Sequence, residues 1–512
     1  MNSLPAELTD MIISYLPDGP LANYATVSQQ WQQAIEDRTF ASITVSSDVV
    51  SFGGFKSAFA CNSRHGPRRQ HIVRSIQFRV ILPSPSDKRL HKMQSTKEAA
   101  ENNVVYTRAM VDMFSFLSAW PAGRYALAIS ARSLRDDYQG NMQWASSGIW
   151  TIRNNFEAVG FDANVLASIP GGKLAEVQQV HELACASEWR GRRIAPAVLG
   201  VLGKALPNIE QMEFCFYPVG RRLMDLRRVE RSSLANALLS LETNLNHLTS
   251  LKLEWQDSDP LNQQFPPGNM IDQESGGRDT LSVALRRVSQ LPSLRKLELE
   301  GSHILTPEIF DDMEGRDSGA WPSLEILWIY MMSTTTPDGG WYVTGDPNSE
   351  EPGSEDGDSS DYEAESVINS DDSDVSDFAP ERKWERRDGM SPAHEFRALP
   401  NEEKFVPFML AMTKAIARMP KIRNVEVVTH PMMTSTYYAP GEHIRTEDSV
   451  LFSGPRRNPR WVFYLEQGFV RWDFPTELKD ALTQEVGAGN VLVRRLGSSE
   501  YGVIPLKGDE VF

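Results

Sequence analysis

Three cysteines in 512 residues, Cys61, Cys185 and Cys215, are too few and too far apart for a disulfide framework or a paired metal motif. They read as small buried hydrophobes of a reducing, intracellular compartment, cytoplasm or nucleus. Long apolar runs are missing too. The longest candidate, residues 195–206, contains Lys204 and fits a buried helix better than a membrane span. No basic residue precedes Arg38, and Glu7 and Asp10 interrupt the early apolar positions, so no secretory leader is expected. Nucleophile-elbow, phosphate-loop, zinc-helix and dinucleotide glycine motifs are all lacking. The nine histidines are scattered, and His181 (beside Glu182), His247 and His303 read as structural or surface residues. No enzyme, cofactor or metal site is expected.

A positive surplus is also lacking. The net charge is −16, yet residues 346–381 hold fourteen acids and no Lys or Arg, and without them the chain stands at −2. Broad attraction to nucleic acid needs a basic excess on one face, which this body does not have. Basic clusters at 64–71, 190–193, 221–231 and 456–460 read as solvated turns and helix faces. The sharper alternative is that one of them meets the acidic segment, or receives an acidic or phosphorylated substrate. Hydrophobic residues, at 41%, suffice for a core elsewhere. The acidic segment and its Gly/Ser surroundings cannot offset the entropy of ordering, so residues 333–396 are expected as a disordered insert.

The N-terminus reads as three short helices. Pro5 suits a first helical position and Glu7 the first turn. Leu8, Ile12 and Leu16 recur every four residues with Met11 and Tyr15 alongside, which makes one apolar stripe. Asp18-Gly19-Pro20 breaks that helix. Residues 21–27 make a second, and Ser28 can cap a third in which Val27, Trp31 and Ile35 fall four apart. So few apolar residues make a marginal fold alone, as expected of a module that shares its core with a partner.

Further on, one phrase recurs: Leu-Pro-x-Leu-x-x-Leu-x-Leu or a close variant. It starts at Leu206, Leu291, Trp321 and Met419, at Leu245 without the proline, and in degraded form at Val73, Ile76 and Phe78. The proline stops a helix, the next apolar residues turn the chain, and the closing alternation is a buried strand. Helical patterns at 195–205, 232–241, 280–290 and 405–418 precede most copies. Taking 333–396 out of the 98-residue gap between the last two copies leaves 34, in line with the others. The fold class is therefore expected to be α/β, an irregular leucine-rich-repeat-like solenoid behind the N-terminal helices.

Leu4-Pro5-x-Glu7-Leu8, Ile12-Ile13-x-Tyr15-Leu16-Pro17, Leu21 and Val27-Ser28-x-x-Trp31 resemble the F-box pattern in identity, order and spacing. The resemblance covers residues 1–40. It implies a non-enzymatic adaptor, because F-box modules bind a Skp1-like protein, and through it a cullin, in a ubiquitin ligase. By motif position Leu4, Pro5, Leu8 and Ile12, with Ile13, Leu16, Leu21 and Val27, would serve the adaptor interface, and Trp31 would chiefly hold the third helix. Phe116-Leu117-Ser118-x-Trp120, Leu127-x-Ile129-Ser130 and the later repeats make the remainder similar to the region after the F-box in filamentous-fungal F-box proteins.

The expected plan is an F-box at 1–40, helix–strand repeats at 41–332, the insert at 333–396, and a last repeat with an α/β cap at 397–512. Residues between the buried strand leucines, Glu213, Lys252, Glu298, Trp328 and Glu426, would face outward by the two-residue strand period. Lys252, Glu298 and Trp328 are the expected substrate surface, with Trp328 as anchor. The partners expected are a Skp1-like adaptor, a cullin and a protein substrate, without nucleic acid or membrane. A non-degradative scaffold and an uncatalogued C-terminal enzyme are the alternatives.

Overall fold

Three copies of the recurrent phrase turn the chain with the same kind of backbone bond. Ile209 N–H donates to the Leu206 carbonyl at 3.2 Å, Leu294 N–H to Leu291 at 3.1 Å, and Ile422 N–H to Met419 at 3.2 Å. Behind each of these turns a short strand begins, with its alternate apolar residues buried. A computed structural model describes residues 5–16, 21–85, 94–121, 123–133, 158–185, 192–242, 245–272, 276–311, 320–347, 386–390, 392–397, 399–429, 434–438, 461–466, 472–473, 475–487, 491–499, 502–505 and 510–511. The chain is mixed α/β, built on a largely parallel sheet, and it divides into two units.

The first unit takes residues 1–145, 152–216 and 236–253. Its strands β1 (Ser42–Ser46), β2 (Ser75–Leu82), β3 (Tyr125–Ser133), β4 (Val180–Cys185), β5 (Gln211–Phe216) and the start of β6 (Ser250–Trp255) lie side by side in chain order. β1 to β5 pair in parallel, with Ile76 opposite Leu127 and Leu183 opposite Met212. Helices supply the crossovers that parallel strands require. The longest, Thr96–Ser118, opens with a capping box in which Ser95 Oγ accepts from Glu98 N–H and Glu98 accepts from Ser95 N–H. It buries Tyr106, Met110, Met113, Phe114 and Leu117. Phe55, Phe59, Phe116 and Tyr125 gather around Trp120, with ring centroids 5.6–5.9 Å from it.

The second unit takes 146–151, 217–235 and 254–512. Here β7 (Lys296–Gly301), β8 (Ile326–Met332) and β11 (Asn424–Thr429) run parallel in that order, and the short strands β9 (Val343–Thr344) and β10 (Leu399–Pro400) pair with each other. From β11 the pairing turns antiparallel through β12 (Thr434–Tyr438) and β13 (Trp461–Glu466), and β14 (Val491–Ser499) returns parallel to β13. The core of this unit holds Leu297, Leu299, Leu327 and Ile329 of the strands, Leu285 and Val288 of the helix Thr280–Ser289, and Phe408 and Met412 of the helix Glu402–Ala417.

Two expectations change. The segment expected as disordered is folded at both ends: Ser333, Thr334, Thr335, Trp341, Tyr342 and Val343 are buried. Val343–Thr344 pairs with Leu399–Pro400, and the Gln263 side chain accepts from Phe396 N–H at 2.7 Å. Composition averaged over 333–396 concealed these short apolar ends behind the acids. Residues 348–385 lie outside the described residues. Cys185 and Cys215 are buried as expected, whereas Cys61 is exposed, because it sits on the turn after the helix Val49–Ala58.

Candidate functional site

The N-terminal helices Ala6–Ser14, Leu21–Tyr24 and Gln29–Ala41 close over a very small core. Ile13, Leu21 and Ile35 are buried, and Leu16, Tyr24, Ala25, Trp31 and Ala34 pack against them. Ser28 caps the third helix by accepting from Trp31 N–H at 3.2 Å. The Arg38 guanidinium donates to the carbonyls of Ile13 and Leu16, tying the end of the first helix to the third. Geometry thus divides the residues that the F-box resemblance singled out. Pro5, Leu8, Ile12 and Val27 are exposed, Ile13 and Leu21 are buried, and Leu16 and Trp31 are half-buried; Leu4 lies outside the described residues. Met11 and Tyr15 join the outward set, and Tyr15 is 83% exposed. Both were legible in the apolar stripe, and Tyr15 in the motif as well.

Arg68 and Arg69, from a cluster expected as solvated, fix this module from behind. Glu36 accepts from Arg69 Nη2 at 2.7 Å and from Arg68 Nη1 at 2.8 Å, and Arg68 also reaches Asp37 at 2.7 Å. Burial alone would raise the Glu36 carboxyl, but hydrogen bonds from Arg69 and Gln32 and the two arginine charges outweigh it and hold the group below its ordinary 4.5. A carboxylate depressed in the folded state contributes stability above its unfolded value and loses it as pH falls through the folded value. Glu36→Gln is therefore expected to lower the melting temperature at neutral pH, with the gap to wild type closing below 4.5. Melts in buffers spanning about pH 3–7 check this; a gap that stays constant across them would rule out the charged pair as its source.

The strand row expected to receive substrate is only partly open. Lys252 Nζ pairs with Glu213 Oε1 at 3.3 Å in the first unit. In the second, Glu298, Trp328 and Glu426 stand in register on β7, β8 and β11. Glu298 is 7% exposed rather than open, since Lys296 Nζ covers it at 2.9 Å. The same ammonium lies 4.6 Å from the centre of the half-buried Trp328 ring.

The basic cluster at 221–231 is not solvated. Arg221, Arg227 and Arg231 are buried. Asp257 accepts from Arg221 Nη2 at 3.3 Å and from Arg227. Burial would raise its carboxyl, but the Arg227 and Arg221 charges hold it low. Arg231 grips Asp279 with Nε at 3.0 Å and Nη2 at 2.7 Å, and Arg222 N–H reaches Asp388, inside the range expected as insert, at 2.7 Å. Every positive charge here has a carboxylate against it, so the cluster is a structural brace. Only the tertiary fold supplies those partners.

Among the described residues no group of three His, Cys, Asp or Glu could hold a metal ion, and no helix is long and apolar enough to cross a membrane. No family model matches the chain, and no curated protein matches it.

Proposed function

We propose that this chain is a substrate-recognition adaptor of a Skp1–cullin–F-box ubiquitin ligase. Its N-terminal helices dock as an F-box on a Skp1-like protein, and the rest, an irregular leucine-rich-repeat-like solenoid, carries the substrate. One observation supports this above all: Leu8, Met11, Ile12, Tyr15 and Val27 are exposed on a module whose core, among the described residues, holds three buried apolar side chains. Burying one such side chain is worth about 1.5–3 kcal/mol, so an open apolar face on so thin a module favours a partner that covers it. The order and spacing of the F-box-like residues supply the chemistry of that partner. The turn shared by three copies, and the parallel strands β1 to β5 in the first unit and β7, β8 and β11 in the second, each in chain order, support the solenoid.

The full chain, co-expressed with a Skp1-like protein and a cullin, is expected to co-purify with both. Undiminished adaptor binding by a chain lacking residues 1–40 would sink the reading. Adaptor binding without the cullin would favour a non-degradative scaffold.

A further inference from the structure

We infer that the outward face of the helix Val49–Ala58 is an interface on which two copies of this chain pack antiparallel about a two-fold axis. The inference stands apart from the adaptor reading. One side of this helix is buried. Phe52 packs on Phe78 of β2 with ring centroids 6.0 Å apart, and Phe55 on Phe116 of the helix Thr96–Ser118 at 5.3 Å. The other side carries Val49, Val50, Gly53, Gly54 and Ser57, which recur at helical spacing and are all exposed. Val49 is 90% and Val50 85% exposed, more than any other large apolar side chain among the described residues. The solvated face of a helix is ordinarily polar. This one carries no charge.

The face complements itself, which selects the occupant. Gly53 and Gly54 lie inside the helix, where glycine is less favourable than alanine. Neither has a positive φ, and a Cβ built on either would meet nothing within 4 Å. Neither backbone conformation nor packing within the described residues therefore requires glycine there, whereas close approach by a second helix does. The two valines stand one turn ahead of the two glycines. A two-fold axis between residues 51 and 52 sets Val50 on Gly53 and Val49 on Gly54 of the other copy, in both directions at once. Each valine pair fills the other copy's glycine notch. The same axis brings Asp48, which caps the helix through Ser51 N–H at 2.9 Å, near the end that carries Lys56 in the other copy. Unlike charges approach there, and like charges do not. The helix has ten residues. Its contact falls well below the roughly 800 Å² per partner of a standard interface, so a reversible dimer with a Kd of about 10–100 µM is expected.

Sedimentation equilibrium of the full chain over about 1–300 µM tests this. The mass is expected to rise with concentration from the 57.5 kDa monomer toward the dimer. Val49→Asp with Val50→Asp is expected to stay monomeric throughout while the helix holds, because acids suit its first turn. Gly53→Ala with Gly54→Ala is expected to raise the melting temperature slightly, since both methyl groups have room, yet to weaken the dimer about tenfold by filling the notch. Those opposite signs separate a contact from a folding effect. Leu8→Ala with Ile12→Ala is expected to dimerise as wild type does. Circular dichroism verifies the fold of each variant. A wild type that stays monomeric at the highest concentration overturns the inference; if the valine variant then also loses a Skp1-like adaptor, the face belongs to that adaptor instead. A glycine variant that dimerises unchanged overturns it as well. So does loss of the dimer in the Leu8/Ile12 variant, which would assign the association to the N-terminal helices.

Discussion

Asp279→Ala is expected to cost the second unit about 3–5 kcal/mol, the usual cost of stripping one partner from a buried ion pair. Asp279 is almost wholly buried, with 1% of its side chain exposed, and it holds three things at once. It accepts both fork donors of Arg231, it caps the helix Thr280–Ser289 through Ser282 N–H at 3.3 Å, and it takes the Ser282 hydroxyl. Its own N–H is fixed by Glu308 Oε2 at 2.7 Å. Alanine there leaves the Arg231 guanidinium in the interior with the neutral Ile304 carbonyl, at 2.7 Å, in place of a charge. The double change Asp279→Ala with Arg231→Met is expected to cost less than the two single changes together, because it removes the uncompensated charge. Urea titrations of the four proteins measure the coupling. A loss below about 1 kcal/mol for Asp279→Ala would show that the guanidinium finds water or another partner.

The second large effect concerns binding. Leu8→Ala combined with Ile12→Ala is expected to weaken a Skp1-like adaptor at least about 100-fold, since two truncated apolar anchors at roughly 1.5 kcal/mol each amount to some 3 kcal/mol. Both side chains lie on the open side of the first helix, so the melting temperature is expected to move little. Ile13→Ala is the internal contrast. That residue is buried in the three-residue core, and its truncation is expected to destabilise the module by about 2–4 kcal/mol. Calorimetric titration of the purified adaptor, together with melts, distinguishes the two behaviours. If the Leu8/Ile12 double variant keeps its affinity within about threefold, the docking face lies elsewhere on the chain.

The strands after the recurrent phrase were readable because their signal is local. Leu297 and Leu299, Leu327 and Ile329, and Val425 and Val427 alternate with outward residues, and each pair is buried. The stop and the turn lie within a few residues of the strand they precede, so one short window holds the whole instruction. Asp279 was partly readable in the same way, as a capping residue ahead of an apolar helix. Tyr15 and Met11 were visible in the first apolar stripe, although only Tyr15 belongs to the family pattern.

What the sequence determined by itself was the set of elements: three N-terminal helices, short alternating strands, the helices between them, and the concentration of acid at 346–381. Periodicity and composition are properties of a window, and they survive without knowledge of the fold. Tertiary structure alone decided which charges are buried. Arg231 and Asp279 lie 48 residues apart, and Arg222 and Asp388 166 apart, so no window contains both members of either pair. It also decided that Ser333 to Val343 is folded, because Thr334 N–H is held by Asp259 and the Tyr342 hydroxyl donates to the Leu305 carbonyl, both partners far away in the sequence. A guanidinium braced against a carboxylate in the interior and one facing water are the same letter in a sequence, and the difference between them is solvation, which exists only once the chain has closed around it.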